Sequence, residues 1–186
     1  TYLALKNSPE FATYSVAQKK AIENALRDFE LSGIGLSEEK QKRYGEIVAR
    51  LSELSAQFSN NVLDATMGWE KVIEDESQLA GLPESALLAA KQSAESKGLK
   101  GYRFTLEIPS YLPIMTYCEN AALREEMYRA YATRASDQGP NAGKWDNTAI
   151  IEEIMTLRVE LAKLLGFNTY TERSLATKMA VSPQQV

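Results

Sequence analysis

Apolar residues recur at three- and four-residue steps along most of this chain, the period of a helix with one face turned inward. Ser15 and Gln18 form a capping-box pair; Ile22, Ala25, Leu26 and Phe29 then share one stripe, which Gly33 is placed to end. Ser37 caps the next predicted helix, with Glu38 and Glu39 in its first turn, where the helix dipole favours anions. Tyr44, Ile47, Val48, Leu51, Leu54, Phe58 and Val62 carry that helix on for about 26 residues, or about 39 Å.

The period changes between positions 64 and 109. Tyr102, Phe104, Leu106 and Ile108 alternate with Arg103, Thr105 and Glu107, which predicts a half-buried strand ended by Pro109. The segment 67–73 supplies its partner, giving a small β-ribbon, and Pro83 opens a helix between the two that runs through Leu87 and Leu88 towards Gly98. Further helix starts fall at Ser110, with Pro113 in the first turn, at Asn120, with Leu123, Met127, Ala130 and Tyr131 on one face, and at Asn147. In the last of these, Ile150, Ile154, Leu157, Leu161 and Leu164 form an a/d-like seam that Gly166 ends. A turn-rich loop over 136–146 precedes it. The expected fold is mainly α: a multi-helix array with one two-stranded β-ribbon. It is read as a single helical piece over 1–186, with long helices over about 15–63, ribbon and helix over about 64–109, and packed helices over about 110–186.

At the end of the chain, Ser182, Pro183 and Gln185 carry the signature of a helix start with a capping box, and the chain opens on Thr1 rather than Met. Both features lead to the expectation of a fragment whose parent's chemistry lies in the missing part.

Composition narrows the chemistry. With 44% hydrophobic and 25% charged residues the chain is ordinary for a globular domain, and at 186 residues it could bury roughly 70% of its unfolded surface. The net charge is −4, with acids and bases interleaved, so the footprint of a nucleic-acid binder is missing and no nucleic-acid partner is expected. No apolar run approaches the roughly 20 residues that cross a bilayer, and no membrane partner is expected. A lone Cys118 excludes an internal disulfide, fits a reducing compartment, and is read as a small buried thiol. There is no histidine, so Ser-His-Asp, Cys-His and His-ligated zinc chemistry cannot be built from this chain alone. Carboxylates, Lys and Tyr remain.

Adjacent acids occur at Glu125-Glu126, Glu152-Glu153 and Glu74-Asp75-Glu76. Neighbours on a helix point about 100° apart, so such pairs do not share a site unaided. The pairs Glu38–Lys42, Glu39–Arg43, Glu46–Arg50 and Glu125–Arg129 have the i,i+4 spacing of a solvated helix face, and Lys40, Lys42 and Arg43 are read as solvated charges rather than an RNA patch. Neither an EF-hand nor a glycine-rich phosphate cradle is present. Within the loop, Trp145 with Lys144 and Asn141 either lines a binding surface or lids the start of the following helix. No residue is assigned as catalytic, cofactor-binding or metal-ligating.

The residues themselves go further. Leu82-Pro83-Glu84, Gly101-Tyr102-Arg103-Phe104-Thr105-Leu106, Ile108-Pro109-Ser110-Tyr111-Leu112-Pro113-Ile114-Met115, Leu123-Arg124 and Arg134-Ala135 resemble the thimet oligopeptidase family of zinc metallopeptidases. So do Ala135 to Asn141, Leu157-Arg158, Leu161-Ala162, Leu164-Leu165-Gly166-Phe167 and Ser174-Leu175-Ala176-Thr177-Lys178-Met179-Ala180. The resemblance covers nearly the whole chain in order. It implies a cytoplasmic enzyme that hydrolyses short peptides, with a two-lobed helical fold and a deep channel. It also implies one zinc held by an H-E-x-x-H helix and a downstream Glu, none of which has a counterpart here. The chain would then be N-terminal-half sequence that builds a channel wall, binds no zinc and is inactive alone, with self-association through exposed apolar surface left open. The alternative is a stand-alone helical scaffold that binds a protein partner through the 150–164 seam.

Overall fold

A computed structural model describes residues 2–186 and resolves into two compact units, one of residues up to Glu53 together with Glu152–Val186, the other of Leu54–Ile151. The fold is mainly α, as expected, with eight α-helices among the described residues and one two-stranded sheet.

In the first unit, α1 (Tyr2–Lys6) packs back on α2 (Val16–Leu31), with the Tyr2 and Phe29 rings 6.1 Å apart. The capping box forms as expected: Gln18 N–H donates to Ser15 Oγ, and Ser15 N–H donates to the Gln18 side chain. Gly33 follows at φ 78°. Helix α3 (Glu38–Met67) spans 30 residues, somewhat longer than the apolar stripe predicted, and α7 (Thr148–Leu164) ends at Gly166, φ 84°. Both helices contribute residues to both units.

Two ion pairs set the register of α3 and α7 here. Arg43 donates from Nε and Nη2 to the two carboxylate oxygens of Glu160, at 2.6 and 2.7 Å. Arg50 does the same to Glu153, at 2.6 and 2.8 Å. Successive arginines on α3 meet glutamates in reverse order on α7, so the segments run antiparallel. This corrects the i,i+4 reading of Glu39–Arg43 and Glu46–Arg50: each guanidinium takes an i+3 acid, Glu46 or Glu53, as its local partner and spends its planar fork on the neighbouring helix. Ile22, Ile47, Leu157, Leu161 and Ala162 are buried. The α7 seam turns inward along its length, which leaves the scaffold reading without its docking stripe.

The second unit is built on the ribbon. Strands β1 (Glu70–Ile73) and β2 (Tyr102–Thr105) are antiparallel, with Glu70 opposite Thr105 and Ile73 opposite Tyr102. Between them lies α4 (Glu84–Glu95), entered from Pro83. After them come α5 (Ile108–Tyr117) and α6 (Ala121–Ala132), the latter capped by Asn120, whose Oδ1 accepts from Leu123 N–H at 3.2 Å. The core joins Trp69, Ile73 and Phe104 of the ribbon region to Leu79, Leu82, Ala90, Leu106, Ile114, Cys118, Leu123, Met127 and Ala130.

Three local expectations need correction. The strand stops at Thr105, and Ile108 is the exposed first residue of α5; Pro109 and the following apolar residues suit a helix start, where a missing N–H costs nothing. Glu107, not Ser110, holds the N-cap position, Ser110 Oγ instead accepts from Thr105 N–H at 2.9 Å, and Pro113 lies inside the helix. Asn147 sits before α7 but its side chain does not cap it: Asp146 Oδ1 accepts from Thr148 N–H, while Asn147 is buried against α3. At the end of the chain, Pro183–Gln185 form a single 3-10 turn with no side-chain cap from Ser182, and Gln185 accepts from Val181 N–H rather than closing a capping box.

Candidate functional site

In each run of adjacent acids at least one side chain is committed to a structural partner. Glu126 accepts from Lys71 Nζ at 2.9 and 3.0 Å, while Glu125 stays exposed. Glu153 holds Arg50 and Glu152 faces solvent. Asp75 Oδ1 accepts the Ser77 hydroxyl and N–H, at 2.7 and 3.0 Å, and these bonds hold its carboxyl below the usual range. Glu76 accepts from the Tyr102 hydroxyl, which pushes that phenol up. Hydrogen bonds from Arg50 and Arg43 likewise hold Glu153 and Glu160 down. No hydrogen bond joins one of these acids to another among the described residues.

Cys118 is 3% exposed, with its S–H directed at Gln78 O at 3.6 Å, a buried thiol as read. Among the described residues, no three His, Cys, Asp or Glu side chains come together. The donor set does not fit the His-ligated catalytic zinc that the resemblance implies, since the chain has no histidine.

In the 136–146 loop Trp145 rests on Gly68 rather than on the start of the following helix. Gly143 N–H donates to Ser136 O and Asn147 N–H to Ala135 O, both at 3.0 Å, which closes the loop on itself. Trp145 covers Gly68, at the end of α3, so tightly that a Cβ at Gly68 would stand 2.9 Å from ring atom Cζ2. Lys144 Nζ lies 4.2 Å from the same ring, and Asn141 borders a gap of about 10 Å³. That gap admits at most a water, while Gly139 and Pro140 of the same loop border an open hollow of about 360 Å³ with Trp69, Glu126 and Arg129.

Sequence reasoning missed a cleft of about 200 Å³ over β2, bounded by Ala86, Ala89 and Ala90 of α4 and by Pro109 and Pro113 of α5. Small residues at helical spacing and prolines four apart were its only signal. Its polar side chains are already paired. Arg103 Nε donates to Glu70 at 2.7 Å and Nη1 to Ser93 Oγ at 2.9 Å, and Thr105 Oγ1 donates to Glu107 at 3.3 Å. No nucleophile beside an activating base lines the cleft.

Comparison with known proteins supplies what the geometry does not. Residues 114–186 match the model described as Peptidase family M3, and residues 1–41 match the model described as Neurolysin/Thimet oligopeptidase, N-terminal domain. The chain is 87% identical over 185 residues to the oligopeptidase A of Haemophilus influenzae and 70% identical to that of Escherichia coli, in each case over 100% of the chain and 27% of the relative. It is 45% identical over 186 residues to the probable cytosolic oligopeptidase A of Arabidopsis thaliana, covering 26% of that protein. The chain thus spans about a quarter of the length of these relatives, and the resemblance read from its motifs holds along its whole length. With a family model matched towards each end and identities of up to 87% across all of it, the chain belongs to peptidase family M3.

Proposed function

We propose that this chain is part of a zinc-dependent oligopeptidase, that the intact protein hydrolyses short peptides in the cytoplasm, and that these residues shape access to the metal centre without contributing to it. The observation that carries this reading is the whole-chain similarity to proteins named oligopeptidase A, over about a quarter of their length. Zinc, when bound in the intact protein, would supply a Lewis acid and an activated water. No residue here is assigned to that step, because the donors present do not fit the ion.

The work left to these residues is exclusion and shape. At 30 residues, α3 is about 45 Å long. Over Arg43 to Arg50 it is braced to α7 by two bidentate ion pairs, which makes a stiff wall rather than a mobile loop. A rigid wall beside a channel admits extended peptides and rejects folded proteins. The cytoplasmic assignment draws support from the plant relative named a probable cytosolic oligopeptidase A, beside which an organellar form is equally similar.

The test compares the full gene product with the 186-residue chain on an internally quenched peptide. Full-length protein is expected to cleave it, to lose activity to a chelator and to regain it with added zinc, while the 186-residue chain leaves the peptide intact. Cleavage by the short chain at the full-length rate, or one tightly held zinc per short chain, overturns the reading.

A further inference from the structure

The cleft beside β2 is bordered by three consecutive residues of the strand, Arg103, Phe104 and Thr105. Side chains alternate between the two faces of a strand, so three in a row meet one cleft along the strand's edge. Phe104 is 2% exposed with its ring in the core, so it meets the cleft through its main chain. The opposite edge of β2 is covered by β1.

Thr105 N–H fixes which main-chain groups point where. It donates to Ser110 Oγ at 2.9 Å, away from β1 and towards the cleft. In an antiparallel ladder the N–H and C=O of one residue point the same way, and the direction alternates along the strand. Phe104 therefore bonds across to Lys71, while Arg103, opposite Val72, turns both its N–H and its C=O to the cleft. Thr105 turns its C=O the same way. Among the described residues no backbone group and no side chain takes up these three groups. The Arg103 guanidinium is held by Glu70 and Ser93, so it does not fold over the edge.

The facing wall leaves room. Helix α4 presents Ala86, Ala89, Ala90 and Ser93, none longer than serine, and the space left is about 200 Å³. A small anion there would meet two carbonyl oxygens. The edge instead suits a group that donates and accepts at strand spacing, which is another extended backbone. A residue laid antiparallel to Arg103 would exchange both N–H···O bonds with it.

We infer that the free edge of β2 is a docking site for an extended peptide, held by main-chain pairing to Arg103, with a small apolar side chain seated against the alanines of α4. The choice of a free peptide as occupant rests on the peptidase reading. The binding itself uses no catalytic group.

The experiment uses the full-length protein, treated with a chelator so that the peptide persists, and the probe Lys-Ala-Val-Ala-Val-Ala-Lys. Hydrogen exchange of the Arg103 N–H is read by mass spectrometry with fragmentation. The unpaired N–H is expected to exchange fast alone and roughly tenfold more slowly at a peptide concentration about ten times its Kd. A copy of the peptide N-methylated at every residue should give no slowing, since it cannot donate to the edge. Ala89→Phe, at an exposed position of α4, fills the cleft and should raise Kd roughly tenfold or more, as for loss of two neutral hydrogen bonds. No slowing in wild type overturns the proposal. So does equal slowing by the N-methylated copy, which assigns recognition to side chains, or an unaltered Kd in Ala89→Phe. An Arg103 N–H already slow before peptide is added shows that another strand of the protein occupies the edge, and also overturns it. Should Ala89→Phe fail to fold, the N-methylated comparison on wild type decides alone. A full-length protein that cleaves no peptide before chelation sinks the functional reading and leaves the exchange result to stand.

Discussion

Asn147→Ala tests whether a buried amide, rather than apolar packing alone, holds α7 to α3 in the second unit. Asn147 is 2% exposed; its Nδ2 donates to Phe58 O at 3.2 Å and its Oδ1 accepts from Asn61 Nδ2 at 2.8 Å. The two losses are unequal. The Phe58 carbonyl sits within α3, where it retains its helical N–H partner, so the penalty falls mainly on Asn61, left with a half-buried amide and no acceptor. A lost neutral hydrogen bond plus one unsatisfied donor amounts to about 2–3 kcal/mol. For a chain of this size that lowers Tm by about 5–10 °C. Asn61→Ala should cost less, because Asn147 keeps its second partner, and the double variant should fall short of the sum by about 1 kcal/mol, since both substitutions remove the same bond. Asn147→Asp should be worse than Ala at neutral pH, where a carboxylate would face the Phe58 carbonyl without its donor. Urea unfolding followed by circular dichroism measures all four variants. An Asn147→Ala protein within 0.5 kcal/mol of wild type, which is the usual spread for surface substitutions, or strict additivity with Asn61→Ala, would refute the reasoning.

Gly68→Ala should destabilise by about 1–3 kcal/mol and red-shift the tryptophan emission, because the new Cβ meets both the Trp145 ring and Asp64 O at 2.9 Å; unchanged emission would mean that Trp145 does not rest on Gly68. Acid should weaken the fold through Glu153, Glu160, Asp75 and Asp146, whose folded-state pKa values all lie below the ordinary ones. Their contribution is present above the unfolded carboxylate pKa of about 4 and is lost as pH falls through the lowered values. Glu153→Gln/Glu160→Gln should therefore flatten the loss of stability below about pH 4 and reduce the effect of added salt, both read from urea midpoints at several pH values and ionic strengths; an unaltered acid slope would show that the two clasps do not couple to folding.

What was legible in the sequence was whatever depends on near neighbours. The helix periods, the Ser15–Gln18 box, the Asn120 cap and the stops at Gly33 and Gly166 all appear as read, since each is decided within about one turn. The errors have one source, residues whose local and long-range options compete. Ile108 continued an alternation that the helix-starting Pro109 overrode. Asn147 had cap spacing, but Asp146 beside it took the cap and freed the amide to turn inward. Arg43 and Arg50 had acids four residues away, yet their strong partners lie 117 and 103 residues off, and a bidentate fork across two helices outweighs a solvated local pair. The same logic explains why function was legible only through family resemblance. A reactive constellation would bring acids together or set a cysteine beside a base; here Glu126 and Glu153 turn to cations on other elements while their neighbours Glu125 and Glu152 stay exposed, and Cys118 is buried against Gln78 O.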